Sequence, residues 1–240
     1  MMAPLTYLRG SNAGSTSEQK DYWNAYIGDI WARVLQSLDF KKDGVIVEVA
    51  PGGTDKIGRG LRQIGWAGTM YVVEPHKDSL EKTCAAYSVL LPDATIHPVM
   101  ATLENASLPQ RYDAIVANHP LDDMIIGTTL KGDDFAEFFT DHYASPPSKT
   151  TLFWNKKRPF LSSALDRTVD AWSAVIPRAK LTVIAQYKSE FFSANGITEP
   201  DYFAYKALRR LSARFNGTTP SPTNGIQDKE RWLVITDVAR

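Results

Sequence analysis

Short β-branched runs of about five residues, separated by stretches of helical periodicity, limit what this chain can fold into more than any other feature. Val45, Ile46, Val47 and Val49 form the first run, whose nearly continuous apolar character suits a strand buried on both faces. Ala50-Pro51-Gly52-Gly53 follows. Ile57, Leu61 and Ile64 then fall on one helical face, with Thr54 or Asp55 placed to cap it and Gly65 to stop it. The cycle repeats: a strand over 69–73, a helix over 78–87, and strands over 95–99 and 112–117. Later runs predict a strand over 150–154, a helix over 161–176, and strands over 181–187 and 232–238. Ahead of them all, Trp23, Ile27, Ile30, Trp31, Val34, Leu35 and Leu38 recur at three and four, which predicts an amphipathic helix within 17–40.

Strands that alternate with helices demand a parallel sheet covered on both faces. The expectation is therefore an α/β, doubly wound, mostly parallel seven-stranded sheet. A basic, aromatic segment over 188–230 precedes the last strand where a simple crossover helix would otherwise stand, so that strand is expected to return antiparallel.

At 240 residues and 43% hydrophobic content, the chain can bury one sizeable core. The reading is a single domain over 17–240 behind a flexible stretch, 1–16, rich in Ser, Gly, Asn and Thr. No apolar run approaches the roughly 20 residues a spanning helix needs, and the opening residues lack a signal core. The lone cysteine, Cys84, offers neither an internal disulfide nor a metal cluster. These features predict a cytoplasmic protein with no membrane partner and no metal. With 27 basic and 27 acidic residues, there is no global attraction to nucleic acid. The basic runs YKALRRLSAR and NKKRPF keep RNA open as a rival to a small-molecule substrate.

Ligands of open α/β sheets bind beyond the carboxyl ends of the strands, and the chemistry-bearing residues gather there. Gly52 and Gly53 leave no Cβ between backbone and ligand, and the next helix turns its free N–H groups and positive end toward the same place. Glu74, at the end of the second strand, stands about 20 residues beyond the glycine loop, the spacing of a carboxylate that accepts hydrogen bonds from ribose hydroxyls. At the end of the fourth strand Asn118, His119, Asp122 and Asp123 put an amide, an imidazole and two carboxylates within six residues. His119 has the intrinsic pKa of a base, and either aspartate could orient it or hold a substrate cation. Two further segments, 121–149 and 188–230, leave the same edge and are candidates for a lid over a small substrate.

These residues resemble class I S-adenosylmethionine-dependent methyltransferases. The family's acid-and-glycine pattern is matched by Glu48, Val49, Ala50, Pro51, Gly52, Gly53 and Thr54, and its second-strand acid by Glu74. Ala50 and Thr54 stand where the family has glycines. The resemblance implies that Glu48, Ala50, Pro51, Gly52, Gly53 and Asp55 flank the methionine end of S-adenosylmethionine. It also implies that Glu74 and Pro75 flank the ribose and Thr102 and Leu103 the adenine. Asn118-His119-Pro120-Leu121 faintly resembles the Asn-Pro-Pro-Tyr motif of amino-group methyltransferases, which implies a methyl acceptor on nitrogen or oxygen beside Asn118. A nicotinamide dinucleotide is disfavoured because the third glycine of its fingerprint is missing. The carboxylate of Asp55 would also repel a pyrophosphate while tolerating an ammonium and a sulfonium. Transfer of an aminopropyl or aminocarboxypropyl group, and a non-catalytic nucleoside-binding regulator, remain alternatives.

Overall fold

The computed structural model describes residues 17–38, 40–131, 134–135, 138, 147–189, 192–193, 195–220 and 231–236. Helix α1 (Ser17–Ser37) leads into β1 (Val45–Val49), α2 (Lys56–Gln63), β2 (Thr69–Val73), α3 (Lys77–Leu90) and β3 (Thr95–Val99). Strand β4 (Tyr112–Asn118) is followed by α4 (Leu121–Gly127), α5 (Pro147–Lys157), α6 (Leu161–Val175) and β5 (Ala179–Ala185). Helix α7 (Glu199–Phe215) and strand β6 (Trp232–Thr236) complete the chain. The strands lie in the order β3-β2-β1-β4-β5-β6. β1 to β5 are mutually parallel and β6 runs antiparallel to β5, pairing Trp232 with Ala185.

The sheet has six strands where seven were expected, and the difference lies at 150–154. Thr151, Leu152, Phe153 and Trp154 look like a strand by composition, yet they belong to α5. Leu152 is exposed while Trp154 is buried, its ring edge-on to Phe192, and Phe153 packs on Phe138. Trp154, Lys157 and Leu161 continue one helical stripe, so packing overrides the β-favouring side chains. The antiparallel last strand is present as β6. Residues 1–16, where a flexible stretch is expected, residues 237–238, and parts of both expected lid segments, most of 132–146 and 221–230 among them, lie outside the described residues.

Period-two alternation sends each strand's side chains to opposite faces. Ile46, Met70, Val72, Ala114, Val116, Val183 and Val234 join Trp31, Leu35, Ile57, Leu61 and Tyr87 in one core, under α1, α2 and α3. Val47, Val49, Ile115, Ala117, Ile184, Leu233 and Ile235 join Leu121, Ile125, Leu165, Trp172, Leu208 and Leu211 in the other, under α4, α6 and α7. The segment 188–230 begins and ends at the carboxyl edge, since the Gln186 N–H donates to the Arg231 carbonyl at 2.7 Å. Its helix α7, expected as a lid piece, instead covers the second face, because its stripe of Ala204, Ala207, Leu208 and Leu211 is fully buried.

Close packing beneath β1 rests on a glycine. A Cβ at Gly58 would lie 2.2 Å from Cε1 of Tyr87, whose ring has no solvent exposure. Gly58→Ala should therefore cost about 1–3 kcal/mol through overpacking, read as a fall of several degrees in Tm.

Candidate functional site

Three polar side chains predicted from sequence, and a fourth that was not, emerge on one face of the sheet at the carboxyl edge. Strand alternation places Glu48 in phase with Ile46, Glu74 with Met70 and Val72, and Asn118 with Ala114 and Val116. Tyr187, two residues past β5, continues the Val183 and Ala185 phase and joins them.

The loop after β1 has an unusual backbone. Ala50, Gly52 and Gly53 all take positive φ, at 51°, 62° and 73°. Ala50 thus adopts a glycine-like conformation at a cost of about 1–2 kcal/mol, while its N–H donates to the Val73 carbonyl at 2.8 Å. Thr54 closes the turn with both its N–H and its hydroxyl on the Pro51 carbonyl. Gly52 is exposed, and a Cβ there would meet nothing within 4 Å. The loop is therefore open on its outer side.

Glu74 joins the loop to β2. Its carboxylate accepts from the Gly52 N–H at 3.2 Å and the His76 N–H at 2.9 Å, and each oxygen keeps a lone pair for another donor. Burial lifts its pKa above the ordinary value, against those two hydrogen bonds. Glu48 lies deeper. Burial pushes its pKa up to about 8, against a hydrogen bond from Tyr87, and Oε2 has no hydrogen-bond partner among the described residues. His76 binds the Ser79 hydroxyl through Nδ1. Pro75 is half-buried beside Glu74. Thr102 accepts from the Asn105 amide, and Leu103 is buried in the core below it.

Asp55 departs from its expected role. Its Oδ2 accepts from Nε of Arg59 at 2.9 Å, and Arg59 is also paired with Asp21 of α1. The carboxylate makes no side-chain cap to α2. It shares the single Arg59 cation with Asp21, and its Oδ1 is buried with no hydrogen-bond partner among the described residues. Lys56 is the cation at this helix start whose Nζ reaches the site, donating to the Tyr187 hydroxyl at 3.2 Å.

Asn118 is buried, with its oxygen and its nitrogen each in one hydrogen bond. Its Oδ1 accepts from the Trp31 indole N–H at 3.0 Å, and its Nδ2 donates to the Tyr187 hydroxyl at 3.1 Å. His119 follows in the left-handed region at φ 61°, its N–H donating to the Ala185 carbonyl. Strain of this kind in a non-glycine residue is a mark of functional loops. Nδ1 of His119 lies 3.2 Å from Oδ1 of Asp122. The buried Gln186 holds that aspartate, donating Nε2 to Oδ1 at 2.9 Å and accepting the Leu121 N–H.

The charge states follow from this packing. Burial pulls the imidazole of His119 down, but the Asp122 carboxylate outweighs it and raises the pKa to about 9. Asp122 is held below its usual range because His119 and Gln186 overcome its own burial. Asp123 goes the other way: burial, then Asp122 and Glu74, drive it well above the carboxylate range. The pair thus divides: Asp122 is the anion matched to the imidazolium, while the surroundings of Asp123 favour its protonated form. His119 is not the neutral base that its intrinsic pKa suggested.

Sequence reasoning assigned no site role to Trp31, Lys56, Gln186 or Tyr187. They come from α1, α2 and the end of β5, and only the fold brings them to Asn118. The nearest signal was strand phase, which places Tyr187 level with the edge.

No family model matches the sequence, and no curated protein does. Among solved structures, the methyltransferase domain of bacterial CtHen1-CN superposes with TM-score 0.50 at 11% identity, over 88% of this chain and 97% of that one. Monomeric WbdD gives 0.50 at 10% identity, over 93% of this chain and 42% of its own. N-methyltransferase NodS from Bradyrhizobium japonicum WM9 gives 0.47 at 10% identity, over 87% and 93%. The chain spans about half the length of two other methyltransferases that it matches, 57% and 48%. At such identities the likeness defines the architecture, which is the class I methyltransferase fold.

Proposed function

We propose that this chain is an S-adenosylmethionine-dependent methyltransferase acting on oxygen or nitrogen of a small molecule. The carrying observation is Glu74: a buried carboxylate at the carboxyl end of β2, one strand from the β1–β4 switch point, fixed by the Gly52 N–H with lone pairs to spare, beside a loop open on its outer side. That arrangement fits a ribose diol with an amino-acid tail running past Ala50, Pro51, Gly52 and Gly53. Glu48 Oε2, buried without a partner, is a further acceptor near that tail. Pro75 would flank the ribose, and Thr102 and Leu103 would flank the adenine.

When bound, the sulfonium supplies an electrophilic methyl group. The protein's part is then to align the acceptor and keep water out. Trp31 and Tyr187 lock the amide of Asn118, and His119 puts a positive charge next to the acceptor side.

Two alternatives lose support. An aminopropyl acceptor is a polycation and needs free carboxylates, yet Asp122 is bound to His119 and Gln186, and burial disfavours the charged form of Asp123. RNA binding draws on unpaired cations, and three of the basic-run arginines, Arg158, Arg210 and Arg214, are instead paired with Glu199, Asp166 and Asp170, while Lys156 and Arg209 stay exposed. The lone cysteine suits a reducing, cytoplasmic setting. No helix among the described residues is long and apolar enough to cross a membrane.

Isothermal calorimetry with S-adenosylmethionine, S-adenosylhomocysteine and NAD tests the reading. Binding of the first two and not of NAD is expected, and binding of NAD alone would refute it.

A further inference from the structure

Tyr187 occupies a position that packing alone does not require. Its hydroxyl oxygen accepts from the Lys56 ammonium at 3.2 Å and from the Asn118 amide at 3.1 Å. Two donors, one of them charged, fill both lone pairs. Among the described residues, none accepts the hydroxyl's own proton.

The surroundings favour negative charge on that oxygen. The His119 ring lies 4.5 Å away, centroid to centroid, and Trp23 of α1 meets the phenol edge-on at 5.9 Å without adding charge. The acids nearby are compensated. Asp122 is bound to His119 and Gln186, and burial together with the charges of Asp122 and Glu74 favours the protonated form of Asp123. Burial pushes the phenol up, but Lys56, His119 and the two hydrogen bonds outweigh it and bring it below its ordinary value. His119 cannot accept a proton at neutral pH because it already carries one. Of the hydroxyls in this cluster, that of Tyr187 is held by two donors and faces two cations, so its surroundings stabilise the deprotonated oxygen.

We propose that Tyr187, held by Lys56 and Asn118, is the proton acceptor of this site and that the substrate is a weakly acidic hydroxyl compound. In the step, the substrate O–H bond breaks and its electron pair stays on the substrate oxygen. The proton forms the O–H bond of neutral Tyr187, which later releases it to water. The two cations beside the phenol attract the resulting oxyanion and repel a protonated amine, so the inference narrows the proposed acceptor from nitrogen or oxygen to oxygen. It rests on the methyltransferase reading.

Near-ultraviolet difference titration of the whole protein tests it. One of the ten tyrosines should ionise ahead of the rest. Tyr187→Phe should delete that early component, and Lys56→Met, which keeps the tyrosine, should move it into the bulk. An early component that survives in both variants, or that is absent from the wild type, overturns the assignment. Calorimetry with S-adenosylhomocysteine on the same samples separates the two failures. Wild-type binding without the early component refutes the role of Tyr187 alone, while no binding to the wild type refutes the methyltransferase reading.

Discussion

Asp122→Asn should lower stability by about 3 kcal/mol below pH 6.5 and by progressively less as pH rises through 9. The pKa of His119 rises from 6.5 when unfolded to about 9 when folded, so the fold holds its proton more tightly than the open chain does. That contribution is complete below the unfolded value and disappears as pH climbs through the folded one. The rise corresponds to about 3 kcal/mol at 1.36 kcal/mol per tenfold change in proton affinity. Asparagine keeps the Oδ1 that Gln186 binds, so the loss is confined to the charge. Denaturant titration across pH should show the two proteins converging above pH 9, with a Tm gap at lower pH of about 6–12 °C. Glu48, raised to about 8 by burial, weakens the fold as pH rises from 4.5 to 8. That slope is common to both proteins and cancels in the difference. NMR gives the direct readout: without the carboxylate, burial dominates and the imidazole of His119 should titrate below 6.5. If it stayed near 9, the ion pair would not be its cause.

The same pair shows what sequence could and could not disclose. Residue types and edge placement were legible because strand ends are set by short β-branched runs and by the loops after them. Charge states were not, because they depend on Gln186 reaching back from the end of β5, 64 positions later, to Asp122. The pairing of Asp55 with Arg59, one helical turn on, was hidden for a similar reason, because α1 brings Asp21 to the same cation. The strand expected at 150–154 failed because an aromatic, β-branched run is ambiguous until Trp154 finds Phe192. The glycine loop lies between β1 and α2, where the sequence places it. Its substitutions are now intelligible, since Ala50 bears a left-handed backbone itself and Thr54 ties the turn to Pro51.

Glu74→Gln should weaken S-adenosylhomocysteine binding by on the order of 10- to 100-fold while leaving the protein folded. The carboxylate presents two oxygens, one to each of two backbone N–H groups, with lone pairs left for a diol. A glutamine has one acceptor oxygen and an NH2 group, so one backbone donor faces another donor and one ribose hydroxyl loses a charged partner. A hydrogen bond to a charged group is worth about 1.5–3 kcal/mol, which gives the stated range at 1.4 kcal/mol per tenfold. The stability cost should stay near 1 kcal/mol, the net value of one backbone hydrogen bond. Calorimetry and thermal unfolding on the same sample separate the two effects. Unchanged affinity in a folded Glu74→Gln variant would remove the ribose from this carboxylate, and with it the principal support for a nucleoside ligand at the β1–β2 edge.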